Sequence, residues 1–338
     1  MNLNFILMEM THLRYWMPLV IEGNNRGLQS TFFVGASNKY NCPTRCIALL
    51  KEISKEQNIK MKHVFEISSA KGLMFSSEKT GINYLDSLSN CKKVISTYQT
   101  DFIECYKEYA EKADHILMPS EFCAEFYDRK SNKNLYLGIP KYDTELKKEE
   151  ILNKYNLSPD KKYVTYIAPK ARDQAKVDSR DVMSYLHNSG YTVLFKSRGK
   201  DPIDPGWHSA LKKLGHHSFE DTSWYPHTTQ ELLEISDFAV NFGSTTIEEC
   251  IMHDVPLINF DVKPAVRNGS KRPYRVTHEY LYNYNYCIQL EKDFSQAQFS
   301  AAVSYLTSTD LTEEFKKARQ NHLFDHKDSC KRILDVLI

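Results

Sequence analysis

Residues 238–260 read FAVNFGSTTIEECIMHDVPLINF. An apolar run, a glycine, three hydroxyl residues, a helical pattern and a second apolar run after Val255-Pro256 spell strand, tight turn, helix, strand. Gly243 lets the backbone turn and approach a ligand closely. Ser244, Thr245 and Thr246 stand at the helix start, where hydroxyls cap and free N–H groups point outward. Such a terminus suits an anion and, with small side chains around it, a pyrophosphate. Glu249 lies about one and two-thirds helical turns after Gly243, where a carboxylate can accept hydrogen bonds from ribose or sugar hydroxyls. The plainer alternative is an ordinary capped helix with Glu248 and Glu249 solvated.

Outward from this stretch the same rhythm recurs. Short apolar runs at 4–8, 31–35, 63–67, 94–97, 115–119 and 135–139 alternate with helical patterns at 15–21, 44–56, 101–112 and 121–129. Residues 68–88 fit neither period. The pattern breaks at Gly138-Ile139-Pro140-Lys141-Tyr142-Asp143, and a charged run over 145–150 follows, which reads as a linker. A second set begins there, with strands expected at 163–168, 192–196, 238–242, 255–260 and 287–290. Its helices are expected at 147–155, 179–188, 229–235, 245–253 and 295–306. Alternation of this kind signals βαβ units and parallel sheets. The expectation is an α/β chain of two Rossmann-like domains facing a central cleft. The N-terminal, acceptor-binding domain covers 1–140 and the C-terminal, donor-binding domain 141–310. A charged helical tail, 311–338, follows, and the sequence does not assign it to either domain. Ligands of such sheets bind outside the carboxyl ends of the strands.

The bulk properties set limits. The chain has 338 residues, 41% of them apolar and 26% charged, enough for two cores. With 44 basic against 43 acidic residues the net charge is +1, which argues against nucleic acid as a partner. The eight cysteines are scattered, and Cys42 and Cys46 have no second pair or histidine cluster beside them. Reduced, buried thiols in a cytoplasmic protein are expected, with no metal site. The start of the chain does not read as a signal peptide, and no run is long and apolar enough to span a membrane.

Four other places bear on chemistry. Lys196 and Arg198 end a second-domain strand, where cations can neutralise a departing pyrophosphate. A solvated basic turn is the alternative. Ala168-Pro169-Lys170-Ala171-Arg172-Asp173 follows the first strand of the second domain and offers Lys170 or Arg172 to phosphate. His12 follows the first strand of the chain, and its near-neutral pKa suits a general base; Glu9 and Asp101 stand in reserve, and a role within a helix cap is the alternative. The basic run 263–275 suits an acidic acceptor, an anionic membrane face or plain solvent. His216-His217 and His227 lack a carboxylate at ligand spacing, and the sequence shows no Asp-x-Asp between strand-like runs, so no divalent metal is expected.

Gly243 through Pro256 resembles the donor-binding segment of GT-B glycosyltransferases, in which a Gly/Ser/Thr turn precedes a helix, a glutamate follows and a Pro step leads into the next strand. Glu249 takes the place of that family's ribose- or sugar-binding glutamate. Residues 112–122 (KADHILMPSEF) and 135–143 (LYLGIPKYD) resemble the end of the first GT-B domain. The same segments occur in non-hydrolysing UDP-GlcNAc 2-epimerases and in teichoic-acid polyol-phosphate transferases. This chain has one glycine where two often stand, and Asp254 where Gly is usual. The loop after its first strand lacks the Arg-Pro-Glu element of the epimerases. The resemblance implies an inverting, metal-independent glycosyltransferase of surface polysaccharide or glycan synthesis, with His12 as base. It implies no cofactor beyond a nucleotide-sugar co-substrate bound by Lys196, Arg198, Gly243, Ser244, Thr245, Thr246 and Glu249, a glycan or lipid-linked acceptor, and a cytoplasmic setting with peripheral membrane contact. The rivals are a CDP-polyol phosphotransferase, an epimerase and a non-catalytic binding protein. Burial of His12 away from the cleft favours the last of these.

Overall fold

The computed structural model describes residues 1–36, 42–77, 80–96, 110–126, 128–169, 179–197, 203–220, 224–260 and 279–338. The chain divides into two units, the first made of Met1–Thr144, Ser223–Pro226 and Gln320–Ile338, the second of Glu145–Thr222 and His227–Arg319.

In the first unit seven parallel strands form one sheet: β1 (Asn2–Leu7), β2 (Gln29–Val34), β3 (Lys60–His63), β4 (Gly72–Ser77), β5 (Cys91–Ser96), β6 (His115–Leu117) and β7 (Asn134–Leu135), in the order β3-β2-β1-β4-β5-β6-β7. Central β1 is buried on both faces, as parallel strands covered by helices are. Its buried amide, Asn4, donates through Nδ2 to the carbonyls of Lys71 and Leu73, both at 2.9 Å, and so ties β1 to the start of β4. Gly72 opens β4 at φ +99°, and a Cβ there would lie 2.5 Å from the Asn2 carbonyl oxygen, so only glycine fits. The helix Leu13–Asn25 turns Leu13, Trp16, Met17 and Val20 inward at helical spacing. Trp16 donates its indole N–H to the Ile6 carbonyl at 3.3 Å, while the Phe5 and Phe75 rings stack at 5.2 Å.

The closing helix, Ser329–Leu337, belongs to this first unit. Asp143 accepts the N–H of Ser329 at 3.1 Å and of Cys330 at 2.5 Å, which caps that helix. Arg26 bonds Asp335 at 2.7 Å, and Lys92 donates to the Leu337 carbonyl at 3.0 Å. These contacts explain why the unit boundary falls after Thr144 rather than at 140. The 3-10 turn Pro140–Asp143 packs on the helix Leu13–Asn25 and holds the chain's last helix. Of the charged tail, residues up to Arg319 group with the second unit and the remainder with the first.

The second unit has six parallel strands: β8 (Lys162–Ile167), β9 (Tyr191–Lys196), β10 (His217–Phe219), β11 (Phe238–Asn241), β12 (Leu257–Phe260) and β13 (Cys287–Leu290), in the order β10-β9-β8-β11-β12-β13. Numbered within the unit this is 3-2-1-4-5-6, the Rossmann order. Both units are therefore α/β and doubly wound. A row of rings crosses the second sheet near the carboxyl ends of its strands: Trp207 on Phe195 at 5.7 Å, Phe195 on Tyr166 at 5.4 Å, Tyr166 on Phe242 at 5.3 Å and Phe242 on Phe260 at 5.1 Å. The row gives the loops above it a stiff floor.

Four elements depart from expectation. The strand expected at 63–67 ends at His63. There the imidazole accepts the Phe65 N–H and the Glu66 carboxylate accepts the His63 N–H, a capping box that starts the 3-10 helix Val64–Ser69. The unassigned stretch 68–88 supplies β4, the middle strand of the seven. Edge strand β10 and the helix Pro205–Lys213 before it were not expected at all; the helix is capped by Asp204, which accepts from Gly206 and Trp207.

Candidate functional site

In a doubly wound sheet the crevice for a ligand opens where the winding direction reverses, outside the carboxyl ends of the strands. In the second unit that point lies between β8 and β11. The segment leaving β11 there is Phe242-Gly243-Ser244-Thr245, which leads into the helix Thr246–Met252. Gly243 has φ +58° with open space around a built Cβ, so backbone conformation, and not crowding, calls for glycine here.

Two asparagines hold this turn, and sequence reasoning missed both. Asn241 and Asn259 are register partners on β11 and β12, and both are buried. Asn241 Nδ2 donates to Asn259 Oδ1 at 3.0 Å and to the Ser244 carbonyl at 3.3 Å. Asn259 Oδ1 also accepts the Gly243 N–H at 3.1 Å, and Asn241 Oδ1 accepts the Ser244 N–H at 3.3 Å. The signal that could have found them is an amide at the carboxyl end of each of two otherwise apolar buried strands, which must be partnered to be tolerated.

This network corrects the expectation of outward-pointing N–H groups at the helix start. The N–H groups of Gly243 and Ser244 are taken by the asparagine side chains. Those of Ile247 and Glu248 bond back to the carbonyls of Ser244 at 3.3 Å and Thr245 at 3.1 Å. Ser244 Oγ and Thr246 Oγ1 lie 3.1 Å apart. What the turn offers a ligand is an exposed backbone at Gly243 and the half-buried Thr245.

Glu248 and Glu249 are both buried, so the alternative of two solvated carboxylates does not hold. Every residue of the helix Thr246–Met252 is buried. Burial, together with the nearby Glu249 charge, pushes the Cys250 thiol well above its ordinary value.

Lys196 closes β9, two strands from β11 and so ~10 Å across the sheet. Its side chain is 3% exposed and its Nζ donates to the Ser197 carbonyl at 2.7 Å. Gly243, Ser244, Thr245, Thr246 and Glu249 thus belong to one turn and helix, with Lys196 at the same edge of the sheet. Arg198 lies outside the described residues, as do Lys170, Arg172, Asp101 and the basic run 263–275.

In the first unit the corresponding reversal lies between β1 and β4. The loop after β1 carries Glu9 and His12, both fully buried. The His12 N–H donates to the Glu9 carbonyl at 3.0 Å, and the imidazole stands edge-on to Trp16 at 6.2 Å. Among the described residues no three His, Cys, Asp or Glu side chains come together as a metal site, and the seven described cysteines are free thiols. No helix of the described residues is long and apolar enough to cross a membrane.

No protein-family model matches the chain, and no curated protein matches it in sequence. Solved structures do match in shape. A wall teichoic acid polymerase, TagF, soaked with CDPG has a TM-score of 0.68 at 12% identity, over 99% of this chain and 88% of that one. MurG from Acinetobacter baumannii gives 0.58 at 10% identity, over 100% and 99%. The UDP-GlcNAc 2-epimerase of Methanocaldococcus jannaschii, in complex with UDP-GlcNAc and UDP, gives 0.55 at 12% identity, over 100% and 99%. With two Rossmann-like units in tandem and these likenesses along its whole length, the chain has the GT-B-type fold shared by glycosyltransferases and UDP-GlcNAc 2-epimerases.

Proposed function

We infer that the chain is a glycosyltransferase that binds a nucleotide-sugar at the carboxyl edge of its second sheet and passes the sugar to a hydroxyl acceptor. The observation that carries this reading is the turn Gly243–Thr246, set at the reversal of a Rossmann-ordered sheet and fixed by the buried Asn241–Asn259 pair. A preorganised turn costs little to order when a diphosphate docks on it. Glu249 would hold ribose or sugar hydroxyls, and Lys196 and Arg198 would offset the charge that grows on the leaving diphosphate.

Transfer with inversion needs one displacement. The acceptor oxygen bonds to the anomeric carbon as the bond from that carbon to the diphosphate breaks, and a base takes the acceptor proton. His12 is the candidate base. Because its ring is fully buried, an acceptor reaches it only after neighbouring side chains move aside. The reading routes no step through a metal or a further cofactor. It places the acceptor among glycans or lipid-linked glycans, with the protein working at the cytoplasmic face of a membrane.

A second reading, transfer of a polyol phosphate from a CDP-activated donor, is favoured by one comparison. The likeness to the wall teichoic acid polymerase, at 0.68, exceeds that to MurG, at 0.58. The two reactions leave different products. Glycosyl transfer releases a nucleoside diphosphate, whereas attack on the polyol-bearing phosphorus releases CMP. The test is incubation with UDP-, GDP-, dTDP- and CDP-linked donors and a mixed glycan acceptor, followed by identification of the released nucleotide. A nucleoside diphosphate supports the first reading and CMP the second. Release of neither, despite nucleotide binding, would favour a binding protein without catalysis.

A further inference from the structure

A cavity of about 680 Å³ opens along the outer edge of the second sheet. Its walls include Lys161, His208, Lys212, His216, His217 and Ser218. Edge strand β10 lies three strands from β11, ~14 Å across the sheet, so the cavity is separate from the Gly243 turn. Trp207, stacked on Phe195, fixes the helix Pro205–Lys213 that forms one wall.

The wall is built around a buried donor. His216 is 5% exposed, and its Nδ1 accepts the Val193 N–H at 3.2 Å. With Nδ1 an acceptor, the neutral ring carries its proton on Nε2. That Nε2 is buried with no hydrogen-bond partner. A buried donor left unmatched costs free energy that a ligand acceptor would recover. His187 packs edge-on against the same ring at 5.2 Å.

The charged residues that line the cavity share one sign. Lys161 and Lys212 have no carboxylate partner among the described residues. Burial above all, and then the charges of His187, His217 and Lys161, hold the His216 pKa down to about 4. His208 bonds Ser218 through Nδ1, and Glu220 lies 3.8 Å from its Nε2. Two lysine point charges, imidazole N–H groups and a serine hydroxyl suit an anion with several acceptor oxygens. Among the described residues no arginine lines the wall to fork onto a planar carboxylate. The cavity has the size of a small-molecule site, larger than a bare ion needs.

We propose that this cavity is a binding site for a phosphate group, carried on a small phosphorylated molecule and held by Lys161, Lys212 and the imidazoles of His216 and His217. Near neutral pH the His216 ring is uncharged and offers its Nε2–H to a phosphate oxygen, while the two lysines supply the positive charge.

The test is a titration of the full chain, followed by the ring C–H signals of His216 and His217 in NMR, with inorganic phosphate in one arm and glycerol 3-phosphate in the other. The expected result is a saturable shift at pH 7 that weakens at least about tenfold in a Lys161→Ala/Lys212→Ala double variant. Tighter binding of the monoester identifies a phosphorylated small molecule as the ligand, and equal binding identifies free phosphate. Both lysines lie on the surface, so an unchanged melting temperature for the variant shows that its fold is intact. Shifts that fail to saturate in both arms, or saturation untouched by the double variant, would overturn the proposal.

Discussion

Asn241 and Asn259 face each other across β11 and β12, with Nδ2 of the first 3.0 Å from Oδ1 of the second, and the same Oδ1 accepts the Gly243 N–H. One buried carboxamide thus fixes both the register of two strands and the backbone of the turn between them. Replacing Asn259 with Leu keeps the bulk and removes the oxygen that accepts from the buried Asn241 amide and from the Gly243 N–H. We expect a loss of ~1–3 kcal/mol, read as a lower urea midpoint. Asn259→Asp, which keeps an acceptor, should lose less. Equal losses would mean that packing, not the bond, holds the turn.

Gly243 makes a sharper prediction because its φ is +58° and a Cβ would meet nothing. Strain alone then sets the cost of a side chain, ~1–2 kcal/mol for Ala. Asn, which tolerates this conformation, should cost less, and Val more. Thermal melting of the three variants checks the ranking.

His216 should make the second unit acid-sensitive. Burial, helped by His187, His217 and Lys161, brings its pKa from 6.5 down to about 4. The unfolded chain therefore binds a proton that the folded chain refuses between those values. The stability tied to the neutral ring is present above the unfolded pKa and is lost as pH falls through the folded one, a change of ~1–3 kcal/mol. Urea titrations from pH 7 to pH 4 should show it. In His216→Gln, which keeps an acceptor and does not titrate, the slope should shrink; the remaining slope belongs in part to His217, also lowered by burial.

Asp143 should govern the end of the chain. Its carboxylate caps the helix Ser329–Leu337, while burial raises its pKa. Asp143→Ala should cost ~1–3 kcal/mol and strip hydrogen-exchange protection from that helix first. Asp143→Asn keeps an acceptor and should retain part of the protection. Protection unchanged in both variants would show that Arg26 and Lys92 suffice.

Much of this architecture is legible in the sequence because parallel strands buried on both faces leave dense apolar runs, such as Phe238–Asn241 and Leu257–Phe260. Strand β4 was hidden because only Leu73, Met74 and Phe75 are apolar, between a glycine and two serines. Edge strand β10 shows no apolar run, since half its face meets solvent. The helix Pro205–Lys213 did carry a local signal, Asp204 at its cap and Pro205 at its first position, which a search for apolar periods passes over. Within the site, the Gly243–Glu249 stretch announces itself through turn chemistry. The asparagines that fix it do not, because an amide at a strand end acquires its meaning only when the register of β11 and β12 brings the two together.

The central claim, that this turn binds a nucleotide-activated donor, is tested most directly by calorimetric titration of the full chain with UDP-, GDP-, CDP-, CMP- and dTDP-linked compounds. The account predicts saturable binding of one nucleotide class, weakened at least about tenfold in Glu249→Ala and in Asn259→Leu, with binding of phosphate at the His216 cavity unchanged. Absence of binding by every nucleotide, or binding untouched by both substitutions, would contradict it.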